Sequence, residues 1–102
     1  DAFLNSQIMR MFTRSPRKLA SPEVQAMVQG NASGVLKMPL FVKKSDDEGS
    51  DYYYLGLVNI DQKSLRQESM RNKKGKTVPV VTMNLILEKP VQYNLYLNLT
   101  KN

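Results

Sequence analysis

Two segments of this chain concentrate positive charge. Arg14, Arg17 and Lys18 follow Arg10 with no acidic residue among them, and Arg66, Arg71, Lys73, Lys74 and Lys76 lie in a stretch where Glu68 is the only acid after Asp61. Lys and Arg in such runs neutralise phosphates and release counterions, which gives affinity for nucleic acid without sequence preference. The same residues also serve as a solvated connection, and spacing alone leaves both readings open. Other chemistry is scarce. The chain has no His and no Cys, which removes disulfides, thiol nucleophiles, the commonest general base and the commonest transition-metal ligands. No pair of carboxylates stands in an apolar setting, and no phosphate-loop, dinucleotide or zinc-ligand spacing is present. The expectation is therefore no catalytic residue, no metal and no cofactor in this chain. Asp46, Asp47, Glu48 and Asp51 lack the ordered spacing of a calcium loop and read as a solvated acidic turn that repels phosphate. Tyr52, Tyr53 and Tyr54 form the only aromatic cluster. Tyr53 is the candidate for base stacking there, although a Tyr row on a strand also serves cross-strand packing.

These side chains need a scaffold. At 102 residues the chain suffices for one small domain spanning 1–102 and is too short for two. The net charge of +6 makes it a candidate for binding nucleic acid or another anionic surface. No apolar run approaches the roughly 20 residues of a membrane span, and no signal peptide is visible. Absent cysteine fits a reducing compartment, so a cytoplasmic location is expected. The opening Asp1-Ala2-Phe3-Leu4 lacks an initiator Met and starts in mid-pattern, so the chain reads as a fragment of a longer protein.

The chain divides by its apolar periodicity. Gln7 to Arg14 alternates weakly as a strand, and Pro16 then marks a loop. Ser21-Pro22-Glu23 opens a helix with Ser21 as N-cap and Pro22 at the first helical position. Its apolar stripe is Val24, Met27 and Val28, and Gly30 is the expected stop. Leu36, Met38, Leu40 and Val42 line one face of the next strand, while Pro39 predicts an edge or a bulge. A turn through Gly49 leads to Tyr52–Ile60, which is apolar on both faces and suggests cover on both sides. This hairpin is the expected centre of the sheet. A second hairpin joins Leu65–Met70 to Thr77–Leu87 through Asn72-Lys73-Lys74-Gly75-Lys76, with Gly75 in a left-handed position. Val81, Met83, Leu85 and Leu87 line one face of its second strand. Val91–Leu99 fits both a strand alternation and a helical stripe of Val91, Leu95, Tyr96 and Leu99. The expected fold is α+β: a curved antiparallel sheet of about four or five strands, barrel-like to protect its edges, with one or two short helices.

Several stretches taken in order carry a resemblance. They are Thr13-Arg14-Ser15, Arg17-Lys18-Leu19, Ser21-Pro22-Glu23-Val24-Gln25, Phe41 through Gly49, Tyr53-Tyr54-Leu55-Gly56, Gly75 through Val81, and Pro90-Val91 with Leu95-Tyr96. Together they resemble a family of uncharacterised domains at the C-terminal end of bacterial DEAD/DEAH-type (superfamily-two) helicases. Those proteins often carry a phospholipase-D-like nuclease. Some resemble ATP-dependent, modification-dependent (type IV) restriction enzymes, in which this domain is the target-recognition part. The resemblance implies binding to double-stranded DNA, modified or not, with a helicase domain of the same chain as partner. It also implies a helix at Val91–Leu99. Helicase and nuclease motifs are absent here, so neither activity is expected of this chain. The alternative expectation is an interaction module that docks on the helicase core or on an identical copy.

Overall fold

The structure, a computed structural model, describes residues 1–43 and 52–101. The chain forms strands β1 (Ala2–Asn5) and β2 (Ile8–Phe12), helix α1 (Pro22–Ala32), strands β3 (Met38–Val42) and β4 (Tyr53–Ile60), and a short 3-10 turn at Gln62–Ser64. Strands β5 (Arg66–Arg71) and β6 (Thr77–Leu87) and helix α2 (Tyr93–Thr100) follow. All strand pairings are antiparallel. The six strands make one sheet ordered β1-β2-β6-β4-β3, with β5 paired to the first half of β6. The architecture is thus the expected α+β sheet with two short helices. The acidic cluster Asp46, Asp47, Glu48 and Asp51 and the turn through Gly49 lie outside the described residues.

The organising strand is β6, not the β3–β4 hairpin. β6 has neighbours on both sides along its length: β2 along Thr82–Ile86, β5 along Thr77–Thr82 and β4 along Leu85–Leu87. Val80, Val81, Thr82, Met83, Leu85 and Leu87 are consequently buried. Each fully buried aliphatic side chain contributes roughly 1.5–3 kcal/mol. Val81, Met83, Leu85 and Leu87 meet Val58 and Ile60 of β4, Val24 and Val28 of α1, and Val91 in one core. The β3–β4 hairpin instead ends the sheet, with β3 outermost. That is where Pro39, with no N–H to donate, does least harm.

The sheet is open. β1 and β3 end the strand order without pairing to each other, and a cavity of about 360 Å³ lies beside Ala2 and Phe3 of β1 and Val42 of β3. Leu99 and Thr100 of α2 line the same cavity. The helix borders the gap, and Phe3 meets Tyr96 edge-to-face with ring centroids 5.6 Å apart. α2 packs Leu95 and Tyr96 inward and leaves Tyr93 and Leu97 exposed, so the 3.6-residue stripe, not the alternation, describes this segment.

Two local expectations are corrected at α1. The Ser21 hydroxyl does not cap the helix; it accepts the Lys18 N–H at 2.8 Å and so belongs to the preceding turn. Gly30 does not stop the helix, which runs to Ala32 and turns at Gly34, φ +81°. A Cβ on Gly30 would lie 3.1 Å from the Leu36 Cβ. Gly30 thus admits the chain entering β3, whose Leu36 N–H bonds the Gly30 carbonyl at 2.9 Å.

Candidate nucleic-acid interface

The first half of β6 carries the two basic segments side by side. On one flank β5 pairs with it from Arg66↔Thr82 to Arg71↔Thr77. On the other flank β2 continues into the loop, whose Thr13 N–H donates to the Val81 carbonyl at 2.9 Å and whose Arg17 N–H donates to the Pro79 carbonyl at 3.0 Å. Pro79 is two residues from Thr77, or about 7 Å along the strand. Arg14, Arg17 and Lys18 are therefore held at the end of the sheet from which the lysine turn projects. Gln67 locks the arrangement. Its Oε1 accepts the Leu19 N–H at 2.9 Å, and its Nε2 donates to the Val80 carbonyl at 3.2 Å.

The turn itself is closed by Asn72 and the backbone, independently of its lysine side chains. Asn72 Oδ1 accepts the N–H groups of Lys74 and Lys76 at 2.9 and 3.0 Å. The Asn72 N–H reaches the Lys76 carbonyl at 2.9 Å, and Gly75 adopts φ +79° as expected. Arg71, Lys73, Lys74 and Lys76 are exposed. Among the described residues their side chains, like those of Arg14 and Lys18, have no hydrogen bond or ion pair.

Arg17 and Arg66 differ. Arg17 Nε lies 3.2 Å from Glu23 Oε2, and its Nη1 donates to the Pro16 carbonyl at 2.8 Å. Arg66 folds onto its own backbone, donating to the carbonyls of Lys63 and Leu65 at 3.0 and 2.9 Å. Arg10, on β2, pairs with Glu68 at 3.2 Å and also donates to Thr82 Oγ1 at 3.1 Å. The two acids near the basic segments, Glu23 and Glu68, thus each face an arginine. Six cations around the head of β6 stay without a partner among the described residues.

Tyr53 is not part of this surface. It is half-buried opposite Val42, beyond the other end of β6. Tyr54 faces outward and pairs with Phe41, centroids 5.1 Å apart and planes 37° apart; both rings are more than half exposed. The cause is a bulge. Between Pro39↔Leu57 and Phe41↔Tyr54 the register gains one residue in β4, and Gly56 takes φ +95°. A positive φ at this site is where glycine is tolerated best. The extra residue reverses the alternation, so Leu55 packs on the core while Tyr54 does not. Strict period-two reading of the sequence misses the Phe41–Tyr54 pair, and Gly56 within an apolar run was the available signal for it.

Fold and surface define a small α+β domain with an open antiparallel sheet, helices on one face and a concentrated basic end. The chain belongs to the family described as Domain of unknown function (DUF3427), whose model matches residues 1–99. No curated protein matches the chain. Among the described residues no helix is long and apolar enough to cross a membrane, and no group of three or more acidic side chains is placed to hold a metal ion.

Proposed function

We propose that this domain binds double-stranded DNA and serves as the target-recognition part of a cytoplasmic, helicase-containing protein. The observation that carries the DNA reading is the hydrogen bond from Arg17 N–H to the Pro79 carbonyl. It sets the basic loop beside the basic hairpin, so that charges distant in sequence address one phosphate backbone. A two-stranded ribbon fits a major groove about 12 Å wide, and the β5–β6 hairpin presents its lysine turn as the leading edge. The loop then lies against the flanking phosphates. The helicase partnership rests on the ordered motifs from Thr13-Arg14-Ser15 to Leu95-Tyr96 and is proposed on that ground alone.

The test is duplex binding by fluorescence anisotropy at two salt concentrations, with methylated and unmethylated DNA. Binding that weakens steeply with salt and is lost in the Lys73→Glu, Lys74→Glu, Lys76→Glu triple variant supports the proposal. An unchanged affinity in that variant refutes the role of the hairpin. The exposed Phe41–Tyr54 pair favours a second reading, an interaction module that docks on the helicase domain or on its own copy. That reading expects concentration-dependent association and no DNA affinity at moderate salt.

A further inference from the structure

A recess of about 330 Å³ opens between α1 and the end of β2. Its walls are Met11, Phe12, Val24 and Met27, and Arg14, Arg17 and the carboxylate of Glu23 stand on its rim. The volume lies at the lower end of the roughly 300–1,000 Å³ typical of small-ligand sites, which likewise combine apolar walls with a few placed polar groups. Two thioethers and an aromatic ring form a soft, polarisable lining suited to a flat ring system. Phe12 is 45% exposed, so part of its ring is open to contact. Glu23 offsets Arg17, and Arg14 leaves the rim with one net positive charge. Arg17 is fixed there by Glu23 and the Pro16 carbonyl, whereas Arg14 has no polar partner among the described residues. A flat apolar body with a single negative charge beside it, on the Arg14 side and away from Glu23, fits this lining.

We propose that this recess receives an unpaired nucleobase of the bound DNA, with Arg14 on the adjoining phosphate. The inference rests on the DNA-binding reading and adds a second contact mode to it. Phosphate contacts supply affinity without information, and a base taken out of the stack supplies discrimination. Extrusion costs least where the base is already mismatched. Stacking on apolar and aromatic side chains then offsets the loss of the neighbouring bases. The domain should accordingly prefer a duplex with one mismatched pair over the same duplex fully paired.

The experiment labels the six methionine methyl groups with carbon-13 and titrates the chain with two duplexes that differ by one central mismatch. The expected result is a shift of the Met11 and Met27 resonances with the mismatched duplex while Met38 and Met83 stay in place, and affinity on the order of tenfold higher for that duplex. Met27→Trp, which fills the recess, should erase the preference and keep the affinity for paired DNA. If that variant does not fold, the methyl shifts of the native chain decide the question. Equal affinity for both duplexes with silent Met11 and Met27 methyls overturns the recess and leaves DNA binding standing. Failure to bind either duplex overturns both.

Discussion

Gln67 Oε1 accepts a hydrogen bond from the Leu19 N–H at 2.9 Å across 48 positions of sequence. With the other end of its amide on the Val80 carbonyl, Gln67 clips the basic loop onto the strand pair that carries the basic turn. Gln67→Ala removes the acceptor and leaves the Leu19 N–H to water. Both amide bonds are lost, and at this exposed site the expected loss is about 1 kcal/mol, the low end of the range for two net hydrogen bonds. For a domain of this size that lowers Tm by about 4–8 °C. Thermal unfolding followed by circular dichroism checks the magnitude. Hydrogen exchange at the Leu19 amide checks the cause, and it should accelerate more than exchange at Val81.

If the proposed DNA binding holds, the lysine turn separates it from folding. Asn72 and the backbone close it, so the side chains of Lys73, Lys74 and Lys76 are free to carry charge without carrying structure. Replacing all three by Ala should leave stability within about 0.5 kcal/mol. The same change should flatten the dependence of log K on log salt by about 0.9 for each phosphate that is no longer neutralised. Anisotropy titrations over a salt series measure the slope. A slope in the triple-alanine variant equal to that of the native chain would falsify phosphate binding by these lysines.

Much of this architecture is legible in the sequence because it is periodic. Val81, Met83, Leu85 and Leu87 mark the core face of β6, and Pro22 marks the start of α1, since period and backbone restriction are local properties. What escapes is set by partners. The rank of β6 as the central strand depends on β2, β4 and β5 arriving on its flanks, which no local pattern encodes. Ser21 has the chemistry of a cap, but the Lys18 N–H competes for its hydroxyl and wins. Gly30 resembles a stop yet serves as a contact for Leu36. The two basic clusters are plain in the sequence, and their adjacency is not, because it is made by Gln67 and by hydrogen bonds from Thr13 and Arg17 to β6.

Asn31 ties α1 to the sheet at a single buried point. Its Oδ1 accepts the Ile60 N–H at 2.8 Å, and its amide nitrogen lies 3.4 Å from both the Leu36 carbonyl and Asn59 Oδ1. Asn31→Ala strands the Ile60 N–H away from water, which costs about 1–3 kcal/mol. That exceeds the loss expected at the exposed Gln67, because no solvent replaces the missing acceptor. Denaturant unfolding should show a lower midpoint with an unchanged m-value. The recess walls Val24 and Met27 ride on the same helix, so a loosened α1 should also broaden the Met27 methyl resonance.

Gly56 offers the sharpest test of the bulge. No atom lies within 4 Å of a Cβ built there, so a substitution meets no steric obstacle beyond its own backbone at φ +95°. Gly56→Ala is expected to cost about 1–2 kcal/mol, the penalty for an L-residue held in a left-handed conformation. The chain can relieve that strain only by returning β4 to regular pairing, which would carry Tyr54 away from Phe41 and Leu55 off the core. Because Leu55 packs on the core, the bulge should persist and the strain should register as lost stability. The near-ultraviolet signal of the Phe41–Tyr54 pair should therefore survive while Tm falls. DNA affinity should not change, since the lysine turn lies at the opposite end of β6. An unchanged Tm would show that the register shift does not depend on glycine.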